Sequence, residues 1–210
     1  MKLKQHLKEY LSEEEMSRLV SSFDVVGDIG IIIIPQELEK HEKLIGEAVL
    51  ASNRRIRVVA KRDGNYGGEF RTLPLTILAG EERKETEVKE FGVRLLLNPE
   101  SAYYSIRSGN ERRRVASLVE DNESVMVFFS GVGPFPLIIS RFSLAQHIVG
   151  IEKNPIAHDY GLRNLQRNKK LTNILLILGD VVEVVPGLTA LFDRVIMPLP
   201  TEAEKFLASA

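Results

Sequence analysis

The stretch Val125-Met126-Val127-Phe128-Phe129-Ser130-Gly131-Val132-Gly133-Pro134-Phe135 decides the fold. Residues 125–129 are an almost unbroken apolar run of strand length, the pattern of a strand buried on both faces. The run enters a tight Gly-x-Gly turn, after which a helix is expected to begin near Phe135. Glycines let a ligand approach the main chain, and the first turn of a helix offers unpaired N–H groups. By itself such a turn is equally compatible with a structural bend. The downstream sequence adds context. Apolar runs recur at 148–151, 174–178 and 194–197, separated by segments of helix length. This alternation predicts an α/β arrangement, a parallel sheet covered on both faces by helices.

The ends of these runs carry the polar chemistry. The second ends in Ile151-Glu152-Lys153-Asn154-Pro155, which puts a carboxylate roughly 20 residues after the glycines, where such sheets bind ribose hydroxyls. The third ends in Gly179-Asp180. The fourth runs Asp193-Arg194-Val195-Ile196-Met197-Pro198-Leu199-Pro200, whose prolines stiffen the following loop. Acids at successive carboxyl ends line the usual ligand crevice of an open sheet. Position 136 is Pro136, so Gly-x-Gly-x-x-Gly is not completed and a dinucleotide dehydrogenase is disfavoured.

Upstream the pattern differs. Residues 3–20 have helical spacing, 23–34 read as strand, 38–50 regain a helical period, and 55–60 and 72–78 read as strands around the turn Asp63-Gly64-Asn65-Tyr66-Gly67-Gly68. A short strand follows at 93–97 and a helical pattern at 105–119. The expected division is a mixed α+β domain over 1–100 and a Rossmann-like domain of about four strands over 101–210. Within 210 residues, 44% are apolar, so a core is assured; 28 basic against 29 acidic groups exclude a uniformly cationic surface. With no cysteine, disulfides, zinc ribbons and thiol nucleophiles are excluded, and four scattered histidines make a metal site unexpected. No apolar run approaches membrane-spanning length and residues 1–13 are highly charged, so the expectation is a soluble cytoplasmic protein.

Basic residues nevertheless cluster. Arg54, Arg55, Arg57, Lys61 and Arg62 fall within ten positions, Arg71 follows the glycine turn, and Tyr103-Tyr104-Ser105-Ile106-Arg107 precedes Glu111-Arg112-Arg113-Arg114. Cationic side chains neutralise phosphates and tyrosines stack on unpaired bases, so this pattern suits RNA, as it equally suits a solvated surface with ion pairs.

Taken together, Phe23-Asp24-Val25-Val26-Gly27-Asp28-Ile29, Gly67-Gly68-Glu69-Phe70-Arg71-Thr72, Leu78-Ala79-Gly80-Glu81, Lys89-Glu90, Arg107 with Glu111–Arg114, Gly131–Phe135 and the 193–200 run resemble the class I tRNA (guanine37-N1)-methyltransferases of archaea and eukaryotes, which include wyosine-pathway relatives. The resemblance implies S-adenosylmethionine as donor, tRNA as acceptor, an RNA-positioning first domain and a donor-binding second domain. It implies that Arg107 is the active-site arginine, binding guanine O6 as N1 loses its proton. Glu152 would hold the donor ribose, Asp180 would lie near the adenine, and Gly131, Val132, Gly133 and Pro134 would approach the methionine moiety. Phe129, Asn154, Pro198 and Pro200 complete the expected donor site. Arg54, Arg55, Arg57, Arg62, Arg71 and Arg112 are the expected RNA contacts.

Two positions depart from the family pattern: Val127 stands where an aspartate is usual, and Pro198 where an asparagine is usual. Completing the family's sheet would take about 60 further residues at mean element lengths. The four strands would then lie in the order 3-2-1-4, with an apolar fourth edge covered by a second copy, by 201–210, or by a missing partner chain. The alternative to an active enzyme is an impaired or truncated relative serving as a tRNA-binding module, or a wyosine-pathway methyltransferase.

Overall fold

The structure is a computed structural model, and it describes residues 3–198 and 203–210. The chain divides into two units, Met1–Val88 with Asn98–Glu100, and Lys89–Leu97 with Ser101–Ala210.

The first unit begins with two short helices, α1 (Leu3–Leu7) and α2 (Glu13–Arg18). A capping box starts α2: Ser12 Oγ accepts from Glu15 N–H at 3.2 Å and Glu15 returns the bond to Ser12 N–H at 2.8 Å. Strands β1 (Asp24–Val26) and β2 (Ile29–Ile32) form a hairpin, and helix α3 (Glu42–Ser52) leads to β3 (Val58–Arg62) and β4 (Leu75–Gly80). The sheet order is β1-β2-β3-β4, antiparallel except for the parallel pair β2–β3. Leu7, Leu38, Ile45, Val49 and Val59 form its core. The sequence pattern placed the last two strands at 55–60 and 72–78, two to three residues early. Arg55 and Arg57 are exposed and sit before the ladder, because pairing starts only where both faces become buried at Val58.

Strand β5 (Thr86–Glu90), which sequence patterning did not pick out, carries the chain from the first unit to the second. A turn at Phe91-Gly92, both at positive φ (48° and 82°), leads into β6 (Val93–Leu97). The second unit continues with α4 (Gly109–Ala116), β7 (Ser124–Phe128), α5 (Pro134–Phe142), β8 (His147–Glu152), α6 (Pro155–Arg167), β9 (Ile174–Leu178), α7 (Val181–Val184) and β10 (Arg194–Ile196). Its sheet order is β10-β7-β8-β9, all parallel, which is the expected 3-2-1-4 arrangement. Met126, Phe128, Ile151 and Val181 build one face together with Phe192, Val195 and Phe206. On the opposite face Gly150 and Gly161 let β8 and α6 close on Leu176; a Cβ on either would come within 2.8 Å of that side chain. Among the described strands β10 pairs with β7 alone.

Lys89–Leu97 belongs with the second unit for a polar reason. Asn164 lies on α6, and Asn168, its C-cap, follows one turn later. Asn164 accepts from Leu96 N–H at 2.7 Å and donates to Leu96 C=O at 3.0 Å; Asn168 repeats this pair on Arg94 at 3.1 and 2.8 Å. Four residues of helix rise about 6.0 Å and two residues of strand about 6.6 Å, so the two amides serve β6 as a neighbouring strand would.

Candidate active site

Because the four strands are parallel, the loops after β7, β8, β9 and β10 emerge at one edge of the sheet. The strand order reverses at β7, so the loop following it sits at the switch point where open α/β sheets take their ligands. That loop is Phe129–Gly133. Phe129, Gly131 and Gly133 have φ of 53°, 58° and 87°, and Gly133 caps α5 with Pro134 in the first turn. A Cβ on Gly131 would meet nothing nearer than Tyr103 O at 3.8 Å, so the main chain is open to close approach there.

Glu152, ending β8, fastens the loop. Its carboxylate accepts from Gly131 N–H and Asn154 N–H, both at 2.7 Å. Burial pushes its carboxyl above the ordinary range, and the surrounding main-chain donors offset only part of that rise. An ionised carboxylate has about four acceptor positions, so capacity remains for hydroxyl donors. Asp180 follows β9, caps α7 through Val182 N–H at 3.0 Å, and pairs with Lys153 at 2.9 Å, which holds its carboxyl below the usual range.

Asn154 is buried and its amide is occupied: Oδ1 caps α6 at Ile156 N–H (3.0 Å), and Nδ2 donates to Ser101 O at 2.9 Å. It therefore ties the start of the 101–107 segment to the loops of the sheet edge. Val132 is fully buried, with its carbonyl accepting from Asn164 at 2.9 Å. Phe129 packs edge-on against Phe206, centroids 4.8 Å apart. Pro198 is half-buried just after β10, while Pro200 lies outside the described residues. Val127 is fully buried in β7 between Gly150 and Ile196, so no side-chain carboxylate is offered from that position.

Arg107 is exposed in the 3-10 turn Ile106–Ser108. Arg112, expected to touch RNA, is 2% exposed and instead forks onto Glu90 at 2.7 and 2.6 Å. The run Glu111–Arg114 is helical, so its members point in different directions: Arg112 faces inward while Glu111 and Arg114 pair at the surface. Burial and the Glu90 carboxylate push the Tyr104 phenol above its ordinary range. In the first unit Arg54, Arg55 and Arg57 are exposed, Arg71 is half-buried, and half-buried Arg62 stacks on Tyr66 at 5.7 Å. Sequence reading missed Asn164 and, though it named Tyr104 as a stacking face and Glu90 in a motif, the role of each in holding Arg112. The one available signal was the spacing of Asn164 and Asn168 on a single helix face.

Among the described residues no group of acids and histidines could hold a metal ion, and no helix is long and apolar enough to cross a membrane. The glycine loop at the switch point, with carboxylates ending the next two strands, defines a protein with a Rossmann-like sheet.

Comparison with known proteins narrows this class. Residues 86–210 match the TRM5/TYW2 methyltransferase domain, and residues 3–83 match the TYW2 N-terminal domain. The chain belongs to the TRM5/TYW2 methyltransferase family. It is 39% identical to tRNA (guanine(37)-N(1))-methyltransferase Trm5b of Methanocaldococcus jannaschii, over 97% of this chain and 58% of that protein. Among solved structures, the complex of aTrm5 with tRNALeu superposes with a TM-score of 0.85 at 38% identity, covering 97% of this chain and 59% of the other. M. jannaschii Trm5 in complex with adenosine gives 0.77 at 36%, covering 96% and 60%. The chain thus spans less than two thirds of the length of these relatives.

Proposed function

We propose that this chain provides the donor-binding and base-handling parts of an S-adenosylmethionine-dependent tRNA methyltransferase acting on N1 of guanine at position 37, in the cytoplasm. The observation that carries the reading is the Glu152 carboxylate held by Gly131 and Asn154 N–H beside the open glycine loop. The residues present suit an adenosine-containing donor: a glycine at positive φ whose Cβ position has no neighbour nearer than 3.8 Å, and a half-buried carboxylate with spare acceptor capacity. When bound, the donor supplies a methyl group on a sulfonium, open to in-line displacement.

Glu152 would accept from ribose hydroxyls, Asp180 would lie by the adenine, and the main chain of 131–134 would flank the methionine end. Arg107 would stand at guanine O6, where a fixed cation stabilises the negative charge that develops as N1 is deprotonated. The remaining catalysis is positioning of methyl carbon and N1. Arg54, Arg55, Arg57, Arg62 and Arg71 would hold phosphates. The test is calorimetry with S-adenosylmethionine together with methyl transfer to unmodified tRNA and to tRNA carrying the wyosine precursor. Transfer to guanosine supports the reading; donor binding with transfer only to the precursor moves the chain to the wyosine branch, and absence of donor binding at millimolar concentration overturns it.

A further inference from the structure

A buried ion pair stands between the two halves of this site. Glu90, 8% exposed, receives both arms of the Arg112 fork, and Tyr104 Oη donates to the same carboxylate at 2.7 Å. Arg112 Nη2 also donates to Ser105 C=O at 2.9 Å, two residues before Arg107. The guanidinium also lies 6.0 Å from the ring centroid of Phe135, two residues after Gly133, and 5.1 Å from that of Tyr104. One rigid, planar cation therefore touches both the segment that presents Arg107 and the first turn of the helix behind the glycine loop. A buried pair of this kind contributes little stability over an apolar replacement, so its use is geometric.

We infer that Glu90 and Arg112 are positioning residues, fixing the Ser105–Arg107 turn relative to the donor loop so that the acceptor base and the donor methyl meet in line. This rests on the function proposed above.

The decisive variant is the double replacement Glu90→Met/Arg112→Met, which exchanges the pair for apolar groups of similar volume. Its melting temperature is expected within about 5 °C of wild type. Its donor affinity is expected within about threefold, while single-turnover methyl transfer falls about 100-fold, the scale of an ångström misplacement. Adding Arg107→Ala to the double variant should cost far less than adding it to wild type. Independently of catalysis, exchange of the Ser108 amide, which bonds Ser105 O at 3.3 Å, should accelerate at least about tenfold. A folded double variant with near wild-type transfer, or unchanged Ser108 exchange, overturns the inference. A wild type that transfers no methyl refutes the proposed function instead, and the Ser108 measurement then decides the positioning role alone. If the double variant does not fold, Arg112→Lys keeps the charge without the fork; full rate and full Ser108 protection in it would equally overturn the idea.

Discussion

Replacing Asn164 by leucine should damage the second unit more than its small change in volume suggests. Asn164 is fully buried, and its amide satisfies three main-chain groups: Leu96 N–H at 2.7 Å, Leu96 C=O at 3.0 Å and Val132 C=O at 2.9 Å. Leucine leaves all three without partners in surroundings closed to water, since Leu96 and Val132 are themselves buried. At about 1–3 kcal/mol for each unsatisfied group, with carbonyls at the lower end, the loss is about 3–6 kcal/mol. The added apolar burial returns about 2 kcal/mol, leaving a net cost of about 1–4 kcal/mol. Against a domain stability of about 5–15 kcal/mol this is a substantial fraction, and it corresponds to a fall in melting temperature of about 4–16 °C. Asn168→Leu is the internal control: the same two-bond clamp, one turn further along, reaches the exposed residue Arg94, whose main chain can bond to water, so the cost is about 1 kcal/mol. Differential scanning calorimetry on both variants makes the comparison. Asn164→Leu melting within about 2 °C of wild type, or Asn168→Leu proving equally harmful, would refute the account of α6 as a surrogate strand.

Glu152→Gln should weaken S-adenosylmethionine binding about 10- to 100-fold by calorimetry, since the replacement removes charge-assisted acceptance worth about 1.5–3 kcal/mol. Because burial raises this carboxyl above its usual value of 4.5, wild-type donor affinity should fall as pH drops through the raised value, with no such fall in Glu152→Gln. The same shift makes this group's contribution to the stability of the free protein fullest below 4.5 and lost as pH rises through the raised value, so donor affinity and apo stability should move in opposite directions with pH. Replacing Arg54, Arg55 and Arg57 together by alanine should lower tRNA affinity and flatten the slope of log K against log salt by about 2–3, read by filter binding between about 50 and 200 mM salt; an unchanged slope would make the patch plain surface. Gly27→Ala should disrupt the first unit, because at φ 61° its Cβ would fall 2.1 Å from Thr86 Oγ1 and 2.8 Å from Glu87 O, and circular dichroism should register the loss of its cooperative melting.

The parallel sheet was legible because burial on both faces leaves unbroken apolar runs, and four such runs marked β7, β8, β9 and β10 within a residue or two. The grouping of Gly131, Glu152 and Asp180 at one sheet edge was legible for a related reason: a glycine turn and acids at strand ends are local features of the sequence. What local reading could not supply is the polar scaffolding that joins distant segments. Glu90 and Arg112 are 22 positions apart, and Asn164 lies 68 from Leu96, so neither bond leaves a periodic trace. In a run such as Glu111-Arg112-Arg113-Arg114 composition speaks for a cationic surface, yet helical geometry turns one member in four inward, and only the fold decides which. β5 escaped for the opposite reason: Thr86-Glu87-Val88-Lys89-Glu90 has too few apolar residues to look like a strand, because its inward positions are filled by Thr86 and by Glu90, whose burial is made tolerable by Arg112. The residues that reading by composition assigns to solvent or to RNA are thus, at this one place, the ones that link Ser105 to Phe135 in the first turn of α5.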